Sequence, residues 1–191
     1  MISHESGIIE IFAYPSLNKG KYLLKIYLSK SGAKGLGTEL IRWSYNCNEG
    51  GHFHIEPMPY EHIYESMGVF CLPGSSKIIF ESGFSNNETL INCDEDYDYD
   101  INSDNTIFAE LVDLNDNIAF HNRVQFSFNK KAMRDLGEYL RQNNIVNNLF
   151  AWEINKPYSE NLDICFISNE KSITAVEVII TENKCIDDFY K

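Results

Sequence analysis

The sequence predicts an α+β fold, mainly antiparallel β-sheet with one clear helix at about 130–142 packed on a face. Three observations predict it. About ten short runs rich in β-branched, aliphatic and aromatic residues are bounded by Gly, Pro, Asn and Asp. Connections of hairpin length argue for antiparallel pairing, because parallel strands need crossovers of a dozen or more residues. Only one segment repeats its apolar residues at convincing helical spacing.

Taken in order, Ile8 to Tyr14 reads as a first strand, stopped by Pro15. Lys21 to Lys30 reads as a second, with hairpin chemistry at Asn18-Lys19-Gly20 between them. Ser31 to Gly37 carries three glycines and reads as a loop. Thr38 to Tyr45 suits either a short helix capped by Thr38 or another strand. His52-Phe53-His54-Ile55-Glu56 alternates as a strand does, and a Pro-interrupted segment follows, ending near Gly68. Val69 to Leu72 and Lys77 to Phe80 flank the turn Pro73-Gly74-Ser75-Ser76 and so read as a hairpin.

Thr89 to Cys93 reads as a short strand, and the acidic stretch 94–105 as a loop. Thr106 to Leu114 and Ile118 to Phe128 are strands joined by the turn Asn115-Asp116-Asn117. Asn129 then offers a helix cap, and Ala132, Met133, Leu136, Tyr139 and Leu140 recur at three- and four-residue spacing. Leu149 to Ile154, Leu162 to Ser168 and Thr174 to Thr181 are the last strands. No internal repeat is visible, and 1–191 is expected to form a single domain.

Composition bounds the class. The chain has 191 residues, 43% of them hydrophobic, and a chain of this size buries roughly 70% of its unfolded surface without staples. The first residues lack the basic and apolar regions of a signal peptide, and no apolar run approaches a membrane span. A soluble, cytoplasmic protein is expected, with no membrane partner. Five cysteines stand singly with no CxxC pair, which suits free thiols in a reducing compartment.

Charge says more. The net charge is −12, and it is unevenly spread. Between Lys77 and Arg123 there is no Lys or Arg, yet eleven acids occur: Glu81, Glu88, Asp94, Glu95, Asp96, Asp98, Asp100, Asp104, Glu110, Asp113 and Asp116. Phosphate would be repelled, so nucleic acid is not an expected partner, and a basic protein is the natural complement. Tyr97 and Tyr99 alternate with the acids. The expected partner-binding residues are therefore Asp94, Glu95, Asp96, Tyr97, Asp98, Tyr99, Asp100 and Asp104, carboxylates for Lys and Arg with rings for contact area and cation–π pairing.

No catalytic set is expected and no cofactor. GxSxG, P-loop and GxGxxG patterns are absent, and Gly32 to Thr38 matches none of them. From Asp100, an EF-hand reading finds Asn102 and Asp104 but Asn105 for the glycine, and Glu110 one position early. His52, His54 and Glu56 share a strand face, with His62 close behind. This His-x-His pair resembles the metal-binding strand of the cupin barrel. Cupins place a glutamate four or five residues after the second His, whereas here Glu56 follows at two and Glu61 at seven. Asn46 also stands where their glycine precedes the first His. The expectation is no metal site.

In general character the chain resembles bacterial toxin immunity proteins: one acidic domain, no catalytic set, a Tyr-laced acidic segment and an Asn/Ile/Lys-rich composition. That resemblance implies a non-enzymatic protein that neutralises a basic cognate toxin domain, often a nuclease. The alternatives are a cupin-like metal or small-ligand protein using His52 and His54, and an acidic DNA-mimic inhibitor.

Overall fold

The structure is a computed structural model, and it describes residues 7–15, 22–48, 50–57, 59, 69–72, 75–83, 106–111, 123–142, 149–153, 164–168 and 173–181. Ten strands and two helices make up these residues. The first six elements are β1 (Gly7–Pro15), β2 (Tyr22–Ser29), α1 (Lys30–Asn46), β3 (His52–Ile55), β4 (Val69–Cys71) and β5 (Lys77–Ser82). The remaining six are β6 (Thr106–Leu111), β7 (Arg123–Phe128), α2 (Lys130–Gln142), β8 (Leu149–Glu153), β9 (Cys165–Ile167) and β10 (Ile173–Thr181). The fold class is α+β, as expected.

Two five-stranded sheets form, sheet A in the order β4-β1-β2-β10-β8 and sheet B in the order β3-β5-β7-β6-β9. Their inward faces and those of both helices meet in one core, which includes Leu24, Leu28, Leu40, Phe126, Phe128 and Leu140. At one corner the sheets are joined by a parallel bridge between Pro57 and Cys71.

The chain is built twice. Read from its other end, sheet B runs β9-β6-β7-β5-β3: β9, β6 and β7 stand five strands after β4, β1 and β2 in the same places of sheet A, and β5 and β3 stand five strands before β10 and β8. Directions agree throughout. The β1/β2 and β6/β7 pairs are antiparallel, as are β8/β10 and β3/β5. The β1/β4 and β6/β9 pairs are parallel, as are β2/β10 and β7/β5. Each repeat therefore keeps three strands and gives two to the other's sheet. This is the arrangement of a strand-swapped two-fold dimer written into one chain.

The helices cross at the pseudo-axis. A Cβ on Gly37 would lie 2.5 Å from the Gly137 carbonyl oxygen, and one on Gly137 would lie 2.8 Å from the Gly37 oxygen. Residue i meets j and j meets i, the signature of a two-fold contact. The Leu-Gly pair is shared (Leu36-Gly37 and Leu136-Gly137), and Leu40 and Leu140 follow at the same step. Both helices are capped alike: the Ser29 hydroxyl accepts from Gly32 N–H at 3.0 Å, and Asn129 Oδ1 from Ala132 N–H at 2.7 Å.

Three sequence expectations are corrected. The glycine-rich stretch 31–37 is helix, not loop, because Ser29 caps it and the Gly37–Gly137 approach needs a residue without a side chain. The stretch after it, which fitted helix or strand, continues that helix and makes it the second helix among the described residues. Val69 to Leu72 and Lys77 to Phe80 are not a hairpin, since the chain changes sheet at the turn closed by Ser75 N–H to Leu72 O, 2.9 Å. Finally, four of the eight ladders are parallel. None of these four joins strands that follow directly in sequence, so hairpin-length connections could not report them.

Candidate functional site

The eight expected partner-binding residues, Asp94 to Asp100 and Asp104, lie outside the described residues, as do the expected strand at Thr89 to Cys93 and His62. Their flanks are described. The chain leaves sheet B at Gly83, whose N–H donates to Phe128 O at 2.7 Å, and returns at Thr106, whose carbonyl accepts from Asn129 N–H at 3.5 Å. In sequence the acidic stretch belongs to the connection 84–105 between the two repeats, and the described residues that flank this connection, Gly83 and Thr106, lie beside the start of α2.

Two of the eleven acids in the Lys- and Arg-free window are described, Glu81 and Glu110. Register brings both to the outer face of sheet B. His52 pairs with Glu81, Glu81 with Ser127, and Ser127 with Phe108, forming one row across the sheet. His54, Ile79, Gln125 and Glu110 form the next row. Lys77 and Arg123 stand in a third. Side chains two residues apart on a strand share a face, so the three rows lie on the face of sheet B turned away from the shared core, and on it Ile79, Phe108 and Ser127 are buried.

The centre of this surface is tied together. Gln125 Nε2 donates to Glu81 Oε2 at 2.6 Å and lies 3.4 Å from Ser127 Oγ, which in turn lies 3.5 Å from Glu81 Oε2. Ser127 and Phe108 are buried, while Glu81, Gln125 and Glu110 are half-buried. Burial pushes the Glu110 carboxyl above its usual range, and the nearby Glu81 charge pushes it further.

At the β3 edge, His52 and His54 are exposed as their alternation predicts, and their rings stack at 5.0 Å between centroids. His54 Nδ1 lies 3.7 Å from Glu56 Oε1, and Lys77 also pairs with Glu56. Burial, Lys77 and His52 lower the His54 pKa. Among the described residues no group of three or more His, Cys, Asp or Glu is arranged to hold a metal ion. Lys77 beside the imidazoles disfavours a cation there in any case.

Among the described residues, a cavity between the sheets measures about 30 Å3 and is lined by apolar side chains such as Ile26, Leu36, Phe80 and Phe126. That is room for little more than one water, and an apolar cavity gives a water nothing to bond. Basic residues gather on the helices, with Lys30, Lys34 and Arg42 on α1 and Lys130, Lys131, Arg134 and Arg141 on α2. Arg134 stacks on the exposed ring of Tyr45 at 5.1 Å. No described helix is long and apolar enough to cross a membrane. Cys47 and Cys71 are buried free thiols.

Sequence reasoning identified the acidic window and the His face but missed Gln125, Ser127 and Glu110 as their neighbours. Only the β5/β7/β6 order, set between repeats, brings them together. No family model matches the chain, and no curated protein or solved structure matches it.

Proposed function

We propose that the protein is a non-enzymatic binding protein that neutralises a basic protein partner, in the manner of an immunity protein blocking a cognate bacterial toxin. The observation that carries this reading is the uninterrupted acidic window between Lys77 and Arg123. Its two described acids lie on one sheet face, where Glu110 is held above its ordinary pKa by burial and by Glu81. A basic protein surface is the electrostatic complement of such a window. The acidic residues 94–104 extend the same sign of charge along the chain.

The test is co-expression with the product of the adjacent gene, followed by purification of the complex and assay of toxin activity. A one-to-one complex in which the toxin is inactive is expected. Association should slow as salt rises. Changing Asp96, Asp98 and Asp100 together to Asn should weaken binding while leaving the melting temperature nearly unchanged, since a stretch this dense in charge is expected to be a loop and loop substitutions usually alter stability by under about 0.5 kcal/mol each. A neighbouring gene product that is neither bound nor inhibited would sink the reading.

A further inference from the structure

Neither repeat can close on itself. The first, residues 7–82, forms the three strands β4-β1-β2 and the pair β3-β5, which meet only at the Pro57–Cys71 bridge. The second, residues 106–181, forms β9-β6-β7 and the pair β8-β10. Among the described residues, the ladders that join these pieces into sheets are β2/β10 and β5/β7, and both cross from one repeat to the other. A repeat by itself would leave β2 and β5, or β7 and β10, each with a bare ladder edge.

Other contacts cross in the same way. The Gly37–Gly137 approach, the Lys25–Glu177 ion pair at 2.9 Å and the Gln125 to Glu81 hydrogen bond at 2.6 Å all join the two repeats. The Thr174 and Thr181 hydroxyls donate to Tyr22 O at 3.2 Å and Leu28 O at 3.4 Å. In position and chemistry this is an interface between two protein units that happen to share a backbone.

The backbone joins the repeats through the connection 84–105, and the strands on either side of it end close together. Ser82 and Ile107 are both register partners of Phe128, so they flank β7, two ladder spacings or roughly 10 Å apart. A connection of this length can reach to roughly 70 Å. It is far longer than closure within one chain requires. A first repeat can therefore be completed by the second repeat of its own chain or by that of another copy, through the same interface. What favours its own chain is the local concentration set by the tether, on the order of millimolar.

We propose that a second copy of this chain is a partner for the inter-repeat interface, the two chains exchanging repeats reciprocally. Each first repeat is then completed by the second repeat of the other chain. The ladders, the helix crossing and the shared core are all kept, and only the paths of the two connections change. This exchange is independent of what the protein binds. An exchanged pair carries the acidic window twice, so it offers two copies of that window on one particle.

The test refolds the full chain from urea at about 1 μM and at about 1 mM, on either side of the tether's local concentration. Mass is read by light scattering after gel filtration. Single-chain mass is expected at the low concentration and a substantial fraction of doubled mass at the high one. A protease site inserted between Glu88 and Thr89 then distinguishes exchange from ordinary association. Cutting both connections of an exchanged pair should halve its mass, releasing two particles that each hold one first and one second repeat. Two chains associated through their outer surfaces would keep the doubled mass. Cutting the single-chain form should leave its mass unchanged, with a melting temperature that now falls on dilution. A second insertion, between Ser103 and Asp104, repeats the test if the first disturbs folding.

No doubled mass after refolding at high concentration would overturn the proposal. So would a doubled species that survives cutting. Pieces of the cut single-chain form that separate on gel filtration would overturn it as well, because the repeats would then depend on the tether.

Discussion

Sheets A and B have the same strand order and directions, yet the equivalent positions at their centres carry different groups. Sheet A closes its centre with the Lys25–Glu177 ion pair, whose side chains are 30% and 21% exposed. Sheet B places Gln125 at the equivalent point and surrounds it with Glu81, Glu110, Ser127 and, at the edge, two histidines. Inside, the halves remain alike. Leu24 and Val124 are both fully buried, as are Leu28 and Phe128 to within 1%. Packing constrains the shared core because interiors respond to single methylenes. The opposite faces carry different groups at equivalent points, Lys25 on sheet A and Gln125 on sheet B.

The core should behave as two equal halves. Leu40→Ala and Leu140→Ala remove equivalent side chains, 0% and 3% exposed. Each is expected to cost roughly 2–5 kcal/mol in urea unfolding, with a single transition for both variants. A transition that splits in one variant would mean that the repeats fold as separate units and would break the comparison.

The helix crossing gives a smaller and more pointed effect. A methyl group on Gly37 or Gly137 meets backbone oxygen, which cannot move without shifting a helix. Gly37→Ala and Gly137→Ala should each destabilise by roughly 1–3 kcal/mol, despite the better helix propensity of alanine. A stabilising outcome for either would show that the helices are not in contact at that point.

The smallest effect separates the faces by pH. The folded state holds Glu110 above its usual value, so between the unfolded and folded values the folded protein binds more protons. Stability therefore falls as pH rises through that window. Glu110→Gln should remove the fall, making the variant more stable than the parent at neutral pH, and the two should converge below about pH 4. Denaturant midpoints measured from acid to neutral pH check this. Parent and variant curves that stay parallel would mean that Glu110 is not crowded.

Much of the fold was legible in the chain. Most of the described strand runs, the antiparallel pairing of β6 with β7, and the Asn129-capped helix with its apolar stripe all follow from local chemistry. The polar outer face of His52 and His54 was legible for the same reason, since alternation alone exposes it. What escaped is whatever depends on the second repeat. Helix α1 reads as loop through Gly32, Gly35 and Gly37 because local propensity penalises glycine, while the opposing Gly137 rewards it. The duplication itself is hidden because the equivalent residues share shape and burial more than identity, as Leu24 with Val124 and Ile78 with Val176. The Glu81–Gln125–Glu110 grouping spans three strands from both repeats and so has no signature in any single stretch.

The most direct test of the two-fold construction is a double-variant comparison at the helix crossing: Gly37→Ala, Gly137→Ala and both together. The quantity to measure is the stability of each from denaturant unfolding. Because the two glycines share one contact, the double variant is expected to cost clearly less than the sum of the single costs. A double variant whose cost equals that sum would contradict the contact between the helices at the crossing.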